Sequence, residues 1–275
     1  MQDLALARLG RLPIWPVAPT IEPIAGGRTN ENFRVVAGGR TYFARVGVDL
    51  PHHGIRRVNE VLSNRLAANT GVAPAVIHAA DGIMVTEFVE GRTLVQGEPL
   101  DDSTLLRIAR MLRCLGEAVV PLDLPAFDPI AICRRDLGAL AAATLSDERR
   151  RHVVSILATA PSLPADRLIH ADLIPENVIV SAKRVTIVDW EYAGRGDAAV
   201  DVASVILHFG LEARQAALFI AAHDGAAPAT VAALQPILAL REALWCEVQR
   251  QFAGLRGDLA EYTRMCWRRL DRLTA

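Results

Sequence analysis

The chain has 275 residues, of which 51% are hydrophobic and 22% charged, so it can bury a sizeable core as one domain or two lobes. A formal net charge of −1 gives no electrostatic reason to expect binding to nucleic acid or to an anionic membrane surface. No apolar run approaches the roughly 20 residues that span a membrane, the N-terminus lacks a signal-peptide pattern, and the four cysteines lack metal-ligand spacing. These exclusions favour a cytoplasmic protein without membrane insertion, whose thiols are reduced and mostly buried.

Short β-like runs dominate the chain before Gly91. The glycine pair Gly38 and Gly39 predicts the turn of a hairpin between the first two runs. One amphipathic helix, residues 55–69, interrupts the series. The predicted strands are residues 32–36, 41–46, 75–78 and 83–88. We therefore predict that residues 1–90 form a small lobe with an antiparallel sheet and one helix.

Helical periodicity dominates residues 91–275. The segment Asp101-Asp102-Ser103 opens the first helix, which continues to about Leu115. Further helical segments are predicted at residues 134–159, 198–211, 213–223, 228–252 and 258–273. A larger, mainly helical lobe beside a small β-rich lobe gives an α+β fold with a ligand cleft between the two.

Two polar segments in the second half of the chain carry the groups that phosphoryl transfer needs. Residues 170–177 read His-Ala-Asp-Leu-Ile-Pro-Glu-Asn, and residues 188–192 read Val-Asp-Trp-Glu-Tyr. The spacing of five residues from Asp172 to Asn177 is that of a kinase catalytic loop.

A hairpin of two short strands would bring Asn177 and Asp189 to the same end, beside Asp172. A proton-accepting Asp, a metal-binding Asn and a second, metal-binding Asp form the arrangement of kinase phosphoryl transfer. This pattern predicts Asp172 as the catalytic residue, with Asn177 and Asp189 as ligands of magnesium. The alternative is a surface loop of polar residues that flanks a hairpin.

A glycine-rich segment enters the first predicted hairpin. Its residues are Gly26, Gly27, Arg28, Thr29 and Asn30. Glycines let backbone N–H groups approach phosphate oxygens closely, although a plain turn has the same composition. Its place upstream of the kinase-like segment favours a nucleotide site that includes Gly26, Gly27, Thr29 and Asn30.

A second candidate for nucleotide binding pairs Arg45, at the end of a predicted strand, with Glu60 on the following helix. A strand-borne cation held by a helix carboxylate can bind the α- and β-phosphates of a nucleotide. An exposed ion pair of little energetic consequence is the alternative, and these two residues alone leave both readings open.

A predicted strand runs into Gly91 and forms the connection between the two lobes. The exposed backbone of such a hinge, at Glu87 and Val89, can hydrogen-bond the edge of an adenine. This interpretation is compatible with a simple interlobe linker.

Three aromatic residues, Tyr192, Trp245 and Tyr262, lie in the second half of a chain with only 5% aromatics. Aromatic faces attract quaternary ammonium groups through cation–π contacts. Taken singly, each is more often a packing residue.

Taken together, these segments resemble the choline/ethanolamine kinase family, within the wider aminoglycoside-phosphotransferase-like group of kinases. The resemblance covers most of the chain, residues 24–267. Its strongest parts are the glycine segment, Phe43-Ala44-Arg45-Val46, Glu87-Phe88-Val89-Glu90-Gly91, residues 170–177 and Val188-Asp189-Trp190-Glu191-Tyr192-Ala193.

The resemblance implies a protein-kinase-like, two-lobe fold with a nucleotide-binding lobe (1–90) and a catalytic and substrate-binding lobe (91–275). It implies ATP and magnesium as cofactors and an amino alcohol, choline or ethanolamine, as the phosphoryl acceptor. Arg45 and Glu60 would hold the nucleotide, Asn177 and Asp189 the magnesium. The implied acceptor residues are Glu191, Tyr192, Trp245 and Tyr262.

The chain departs from the family pattern at the cation pocket. A second Trp expected three residues before Trp245 is Glu242 here, and His208-Phe209 replaces an acidic residue followed by Trp. The acidic side chains Glu191, Glu242 and Glu247 could instead favour a primary amine. An aminoglycoside, thiamine or a sugar is the alternative acceptor, and a non-catalytic nucleotide-binding protein is the alternative from another class.

Overall fold

The computed structural model describes residues 2–25, 30–253 and 259–275. Its N-terminal region is built on an antiparallel five-stranded sheet with the strand order β1-β2-β3-β5-β4. The strands are β1 (Thr20–Ile24), β2 (Glu31–Ala37), β3 (Arg40–Val46), β4 (Val76–Ala80) and β5 (Ile83–Glu87). In the middle of the sheet Ala44 faces Phe33 on one side and Val85 on the other, and all three are buried because the alternating apolar residues share one face.

Two helices accompany this sheet. Helix α1 (Gln2–Gly10) packs Ala5 and Leu9 against the same core as Phe33. Helix α2 (Arg57–Asn69) lies between β3 and β4 in the chain and buries the polar side chains Glu60 and Asn64. The sequence pattern predicted α2 but not α1 or β1.

The C-terminal region is mainly helical. Its helices are α3 (Asp102–Leu115), α4 (Pro129–Ala139), α5 (Asp147–Ala158), α6 (Ala198–His208), α7 (Ala213–His223), α8 (Pro228–Ala253) and α9 (Leu259–Thr274). The helix α3 starts in the predicted segment Asp101-Asp102-Ser103, where the side chain of Asp101 accepts a hydrogen bond from Thr104 N (2.8 Å) and caps the helix. One large apolar core joins these helices, with Trp190 fully buried within it.

Short strands complete the C-terminal region. They are β6 (Arg92–Thr93), β7 (Arg167–Ile169), β8 (Val178–Val180), β9 (Val185–Ile187) and β10 (Gly194–Gly196). The hairpin of β8 and β9 is the one predicted from the sequence, although Asn177 ends a 3₁₀ turn and does not begin the strand. Strand β6 pairs with β8 directly after Gly91, so the interlobe connection is anchored on the hairpin.

Helix α8 also reaches the N-terminal region, at the 3₁₀ turn Pro51–His53. The His53 ring lies 5.1 Å from the Trp245 ring, and His53 Nε2 is 2.6 Å from Gln249 Oε1. The His52 ring stacks on Phe252 with the ring centroids 4.2 Å apart. The two regions are therefore in contact at a second place besides the Glu87–Gly91 connection.

The predicted α+β, protein-kinase-like fold with a small antiparallel sheet and a larger helical region is confirmed. Three of the four cysteines are buried and Cys114 is exposed, and all four are free thiols. In the described residues of the chain, no single helix is long and apolar enough to cross a membrane; residues 213–223 and 228–252, bent by 118°, pass that test only as a pair.

Candidate active site

A cleft of about 940 Å³ lies between the sheet and the helical region. At one end it is lined by the interlobe connection, in the middle by Asp172 and Asp189, and at the other end by residues of α8 and α9. The described candidates that line it are Arg45, Glu87, Val89, Asp172, Asn177, Asp189, Glu191, Tyr192, Trp245 and Tyr262.

The turn after β7 carries Asp172 and is held by a buried carboxylate on α6. The two oxygens of Asp201 accept hydrogen bonds from His170 N and Ala171 N, each 2.8 Å long. Ala171 has a φ of 67°, a left-handed conformation that costs free energy in a non-glycine residue. The pair of hydrogen bonds to Asp201 stabilises this conformation and so fixes the direction in which Asp172 leaves the chain.

Asn177 and the His170 ring connect this turn with the strand that precedes Asp189. Asn177 Nδ2 donates to Asp172 O (2.9 Å), and Val188 N donates to Asn177 O (3.0 Å). His170 Nε2 lies 3.0 Å from Val188 O. The hairpin thus brings Asp172, Asn177 and Asp189 to one end, which is the arrangement that the sequence predicted.

Asp189 also has a left-handed backbone, with a φ of 70°, and its carboxylate is 2.7 Å from Arg45 Nη1. Burial pushes the pKa of Asp189 upward, but the charge of Arg45 and its hydrogen bond outweigh burial and hold this pKa below its ordinary value. Asp189 is therefore a carboxylate at neutral pH, which is the form that binds cations.

Arg45 pairs with Glu60, as predicted, and their side chains are only 5% and 2% exposed. The alternative of an exposed ion pair is therefore wrong. Arg57, one turn before Glu60 on α2, extends the pair: its Nη1 lies 2.7 Å from Glu60 Oε2 and 3.0 Å from Glu191 Oε2. Asn30 Nδ2 donates to the same Glu191 oxygen at 3.0 Å.

This buried network holds three carboxylates, Glu60, Asp189 and Glu191, against the guanidinium groups of Arg45 and Arg57. Burial, followed by the neighbouring charge of Asp189, raises the pKa of Glu191 to about 7. A proton on Glu191 near neutral pH relieves the excess negative charge, and so would a bound cation.

The donor set beside this network fits magnesium. Asp189 offers carboxylate oxygens, and Asn177 uses its amide nitrogen towards Asp172 O, which leaves its amide oxygen as a ligand. Among the described residues no group of three or more His, Cys, Asp or Glu side chains forms a metal site by itself. This fits Mg²⁺, which protein carboxylates usually bind together with water and substrate phosphates.

The end of the cleft at α8 and α9, which the sequence predicted as the acceptor site, is formed by aromatic and charged side chains. Trp245 Nε1 donates to Tyr192 Oη at 2.8 Å, and the hydroxyl of Tyr262 donates to Glu242. Arg241 Nη1 lies 3.4 Å from Asp172 Oδ1. The Arg241 guanidinium is 4.7 Å from the centre of the Tyr192 ring, so a cation of the protein already covers that aromatic face.

Gly26, Gly27 and Thr29 lie outside the described residues. Sequence reasoning missed Arg57, Asp201 and Arg241. Asp201 and Arg241 are each among the few charged residues of apolar helices, and that contrast is the signal that could have found them. Arg57 stands at the i,i+3 spacing from Glu60, a weaker signal.

Comparison with known proteins assigns the family. A model of the phosphotransferase enzyme family matches residues 20–236. The chain belongs to this family. The Haemophilus influenzae protein LicA is 27% identical over 189 residues, a match that covers 66% of this chain and 56% of LicA.

Solved structures share the fold over nearly the whole chain. A choline/ethanolamine kinase family protein from Mesorhizobium loti has 27% identity and a TM-score of 0.76, covering 99% of this chain and 94% of that one. Choline kinase LicA from Streptococcus pneumoniae has 19% identity and a TM-score of 0.76, with 99% of both chains covered. Spectinomycin phosphotransferase, solved with ADP and spectinomycin, has 12% identity and a TM-score of 0.68, covering 98% and 93%.

These comparisons confirm the resemblance to choline/ethanolamine kinases and aminoglycoside phosphotransferases. They also confirm the enzyme class, a phosphotransferase with an alcohol group as acceptor.

Proposed function

We propose that the protein transfers the γ-phosphoryl group of ATP, with magnesium, to the hydroxyl of a small amino alcohol. The observation that carries this proposal is the convergence of Asp172, Asn177 and Asp189 at one end of a hairpin, in the middle of the cleft. In the family, choline and ethanolamine are the amino alcohols to test first, because kinases of both kinds share this fold.

The nucleotide would lie between the sheet and the hairpin. Among the described residues the backbone of Val89 makes no backbone–backbone hydrogen bond, so its N–H and C=O are available to an adenine edge. Arg45 would bind phosphate oxygens, for which its planar fork is well suited. This assignment makes residues 1–90 the nucleotide-binding lobe and residues 91–275 the catalytic and acceptor-binding lobe.

Asp172 would orient the acceptor hydroxyl and accept its proton. Its side chain is 29% exposed in the cleft, so a substrate can reach it. Asp201 holds the backbone on which Asp172 is mounted, and most of the rate acceleration would come from such positioning and from electrostatic stabilisation. Magnesium, held by Asn177 and Asp189, would neutralise charge on the triphosphate.

The test is ATP turnover with ethanolamine, choline, thiamine and kanamycin as separate acceptors, with and without magnesium. We expect turnover that depends on the amino alcohol and on magnesium. Turnover with kanamycin or thiamine alone would replace the amino alcohol by another acceptor, and no turnover with any of the four would overturn choline and ethanolamine as acceptors. The cytoplasmic location stays a prediction from the sequence.

A further inference from the structure

Arg241 occupies the place in the acceptor pocket that a substrate cation would take. Its guanidinium lies 4.7 Å from the centre of the Tyr192 ring and 5.1 Å from that of Phe127. Its Nη1 contacts Asp172, the residue that would receive the acceptor hydroxyl. A trimethylammonium group on Tyr192 would therefore meet a like charge beside it.

This arginine is built into the pocket. Its side chain is only 11% exposed and rises from the middle of α8. Phe127 is itself 7% exposed and fixed by a hydrogen bond from its N–H to Arg195 O (2.7 Å). Moving Arg241 aside would give up contacts with two aromatic faces and a carboxylate, each of which stabilises its position.

The two carboxylates nearest Arg241, Asp172 and Glu242, are each paired within the protein. Glu242 accepts hydrogen bonds from the Tyr262 hydroxyl and from Arg269 Nη1, the latter at 2.6 Å. Glu191 lies farther into the ion network, where it shares Arg57 with Glu60. Because Asp172 and Glu242 each face an arginine of their own, the part of the pocket around Arg241 offers little net negative charge to a fixed cation.

Arg241 retains donors for a ligand. A guanidinium carries five N–H donors, and among the described residues Arg241 makes one hydrogen bond, to Asp172. Since Arg241 lines the cleft, its other donors are suited to an oxygen-rich or anionic group of the acceptor.

The next inference rests on the proposed function and specifies the kind of acceptor. We infer that Arg241 is a specificity-determining residue that selects an amino alcohol bearing an oxyanion over a quaternary ammonium alcohol. The carboxylate or similar group of the acceptor binds Arg241, and the hydroxyl reaches Asp172. The acceptor would then carry no net positive charge, which matches the paired charges of Asp172 with Arg241 and of Glu242 with Arg269.

Three matched probes test this inference: ethanolamine, L-serine, which adds a carboxylate, and choline, which adds three methyl groups. Their dissociation constants are measured by calorimetry in the presence of magnesium and a non-hydrolysable ATP analogue. The variants are Arg241→Met, which removes the charge, and Arg241→Lys, which keeps it. Arg149→Met is the control, because Arg149 also lies over an aromatic ring (Trp267, 4.8 Å) and pairs with an aspartate, but outside the cleft.

We expect the wild type to bind L-serine at least about tenfold more tightly than choline, the difference that one charge-assisted hydrogen bond provides. Arg241→Met should weaken the binding of L-serine and strengthen the binding of choline. Arg241→Lys should keep the wild-type order of affinities with a smaller difference. Arg149→Met should change the affinity for neither probe. A structural defect would weaken the binding of both L-serine and choline, so affinity changes of opposite sign in one variant indicate a specific effect of Arg241. If Arg241→Met does not fold, the wild-type order and Arg241→Lys decide.

The inference is overturned if the wild type binds choline as tightly as L-serine or more tightly. It is also overturned if the wild type binds neither compound. A parallel shift of all three probes in Arg241→Met overturns it too. The proposed function is tested by a different measurement, the transfer of phosphoryl groups to an acceptor. If no transfer were found, the order of the dissociation constants would still be an independent result.

Discussion

Asp172 is exposed to two opposing influences on its charge. Burial in the cleft raises the pKa of its carboxyl, and the neighbouring guanidinium of Arg241 opposes that rise. Asp172→Asn removes the proposed proton acceptor but keeps the size of the side chain. We expect kcat to fall by ~10²–10⁴ with the dissociation constant of ATP nearly unchanged.

The control for this prediction is Asp166→Asn, the same substitution at an exposed aspartate that does not line the cleft. Steady-state turnover and ATP calorimetry on both variants make the comparison. Turnover above half of the wild-type value in Asp172→Asn would remove Asp172 from the catalytic role.

Arg45 contributes both to the buried ion network and to the proposed phosphate site. Arg45→Lys keeps the charge but replaces a planar fork by a point charge. We expect the KM for ATP to rise about tenfold, the effect of ~1.4 kcal/mol, and the KM for the acceptor to change little. Arg34→Lys, at an exposed ion pair with Glu22, is the matched control. An unchanged KM for ATP would place Arg45 outside the nucleotide site.

At the scale of elements, the turn after β9 brings Asp189 and Glu191 beside Glu60 of α2 and two guanidiniums, and this cluster should make stability depend on pH. The pKa of Glu191 is raised from 4.5 to about 7, so between these values the folded chain holds a proton that the unfolded chain has released. The stability contributed by this group is fully present below pH 4.5 and is lost as the pH rises to about 7.

Glu191→Gln mimics the protonated form and removes this dependence. Urea unfolding at several pH values should show that the free energy of unfolding of the wild type, relative to the variant, decreases up to pH 7 and is constant above it. For the control variant Glu117→Gln, at an exposed glutamate, the free energy of unfolding should change with pH in parallel with that of the wild type. Parallel curves for Glu191→Gln as well would mean that Glu191 is ionised throughout.

The connection between the two lobes is fitted closely onto the hairpin at Gly91. A Cβ at this position would lie 2.7 Å from Ile179 Cγ2 and 2.9 Å from Val180 O. Gly97 also has a positive φ but has no atom within 4 Å of such a Cβ. Gly91→Ala should therefore lower the free energy of unfolding by ~1–3 kcal/mol more than Gly97→Ala, as overpacking does. Equal losses in urea unfolding would show that the connection can move away from β8.

At the scale of the whole molecule, magnesium and ATP together should raise the melting temperature. A ligand at 100 times its dissociation constant adds about 2.7 kcal/mol, which corresponds to several degrees for a chain of this size. The rise should vanish with EDTA and be smaller in Asp189→Asn. An equal rise with ATP in EDTA would argue against a metal held at Asn177 and Asp189.

The sequence predicted those features of the molecule that local patterns encode. The β-like runs before Gly91 and the helical periods after it predicted the α+β class, and the spacing from Asp172 to Asn177 predicted the central turn. The protein-kinase-like arrangement of the two lobes followed from the family resemblance. Pairs that form only in three dimensions were missed. Arg57 and Glu191 are 134 positions apart, so no local pattern relates them. Arg241 faces Tyr192 because of how α8 packs, which no pattern along the chain reports.

The contact of α8 with the turn Pro51–His53 has a mechanical consequence. The ion pairs Arg45–Asp189 and Arg57–Glu191 join the sheet region to the helical region at a further place, in addition to the Glu87–Gly91 connection. Widening the cleft therefore strains the contact of His53 with Trp245 at one place and these ion pairs at another. Separating the ion pairs would leave charged groups without partners, which costs free energy. The cleft should therefore resist changes in its width.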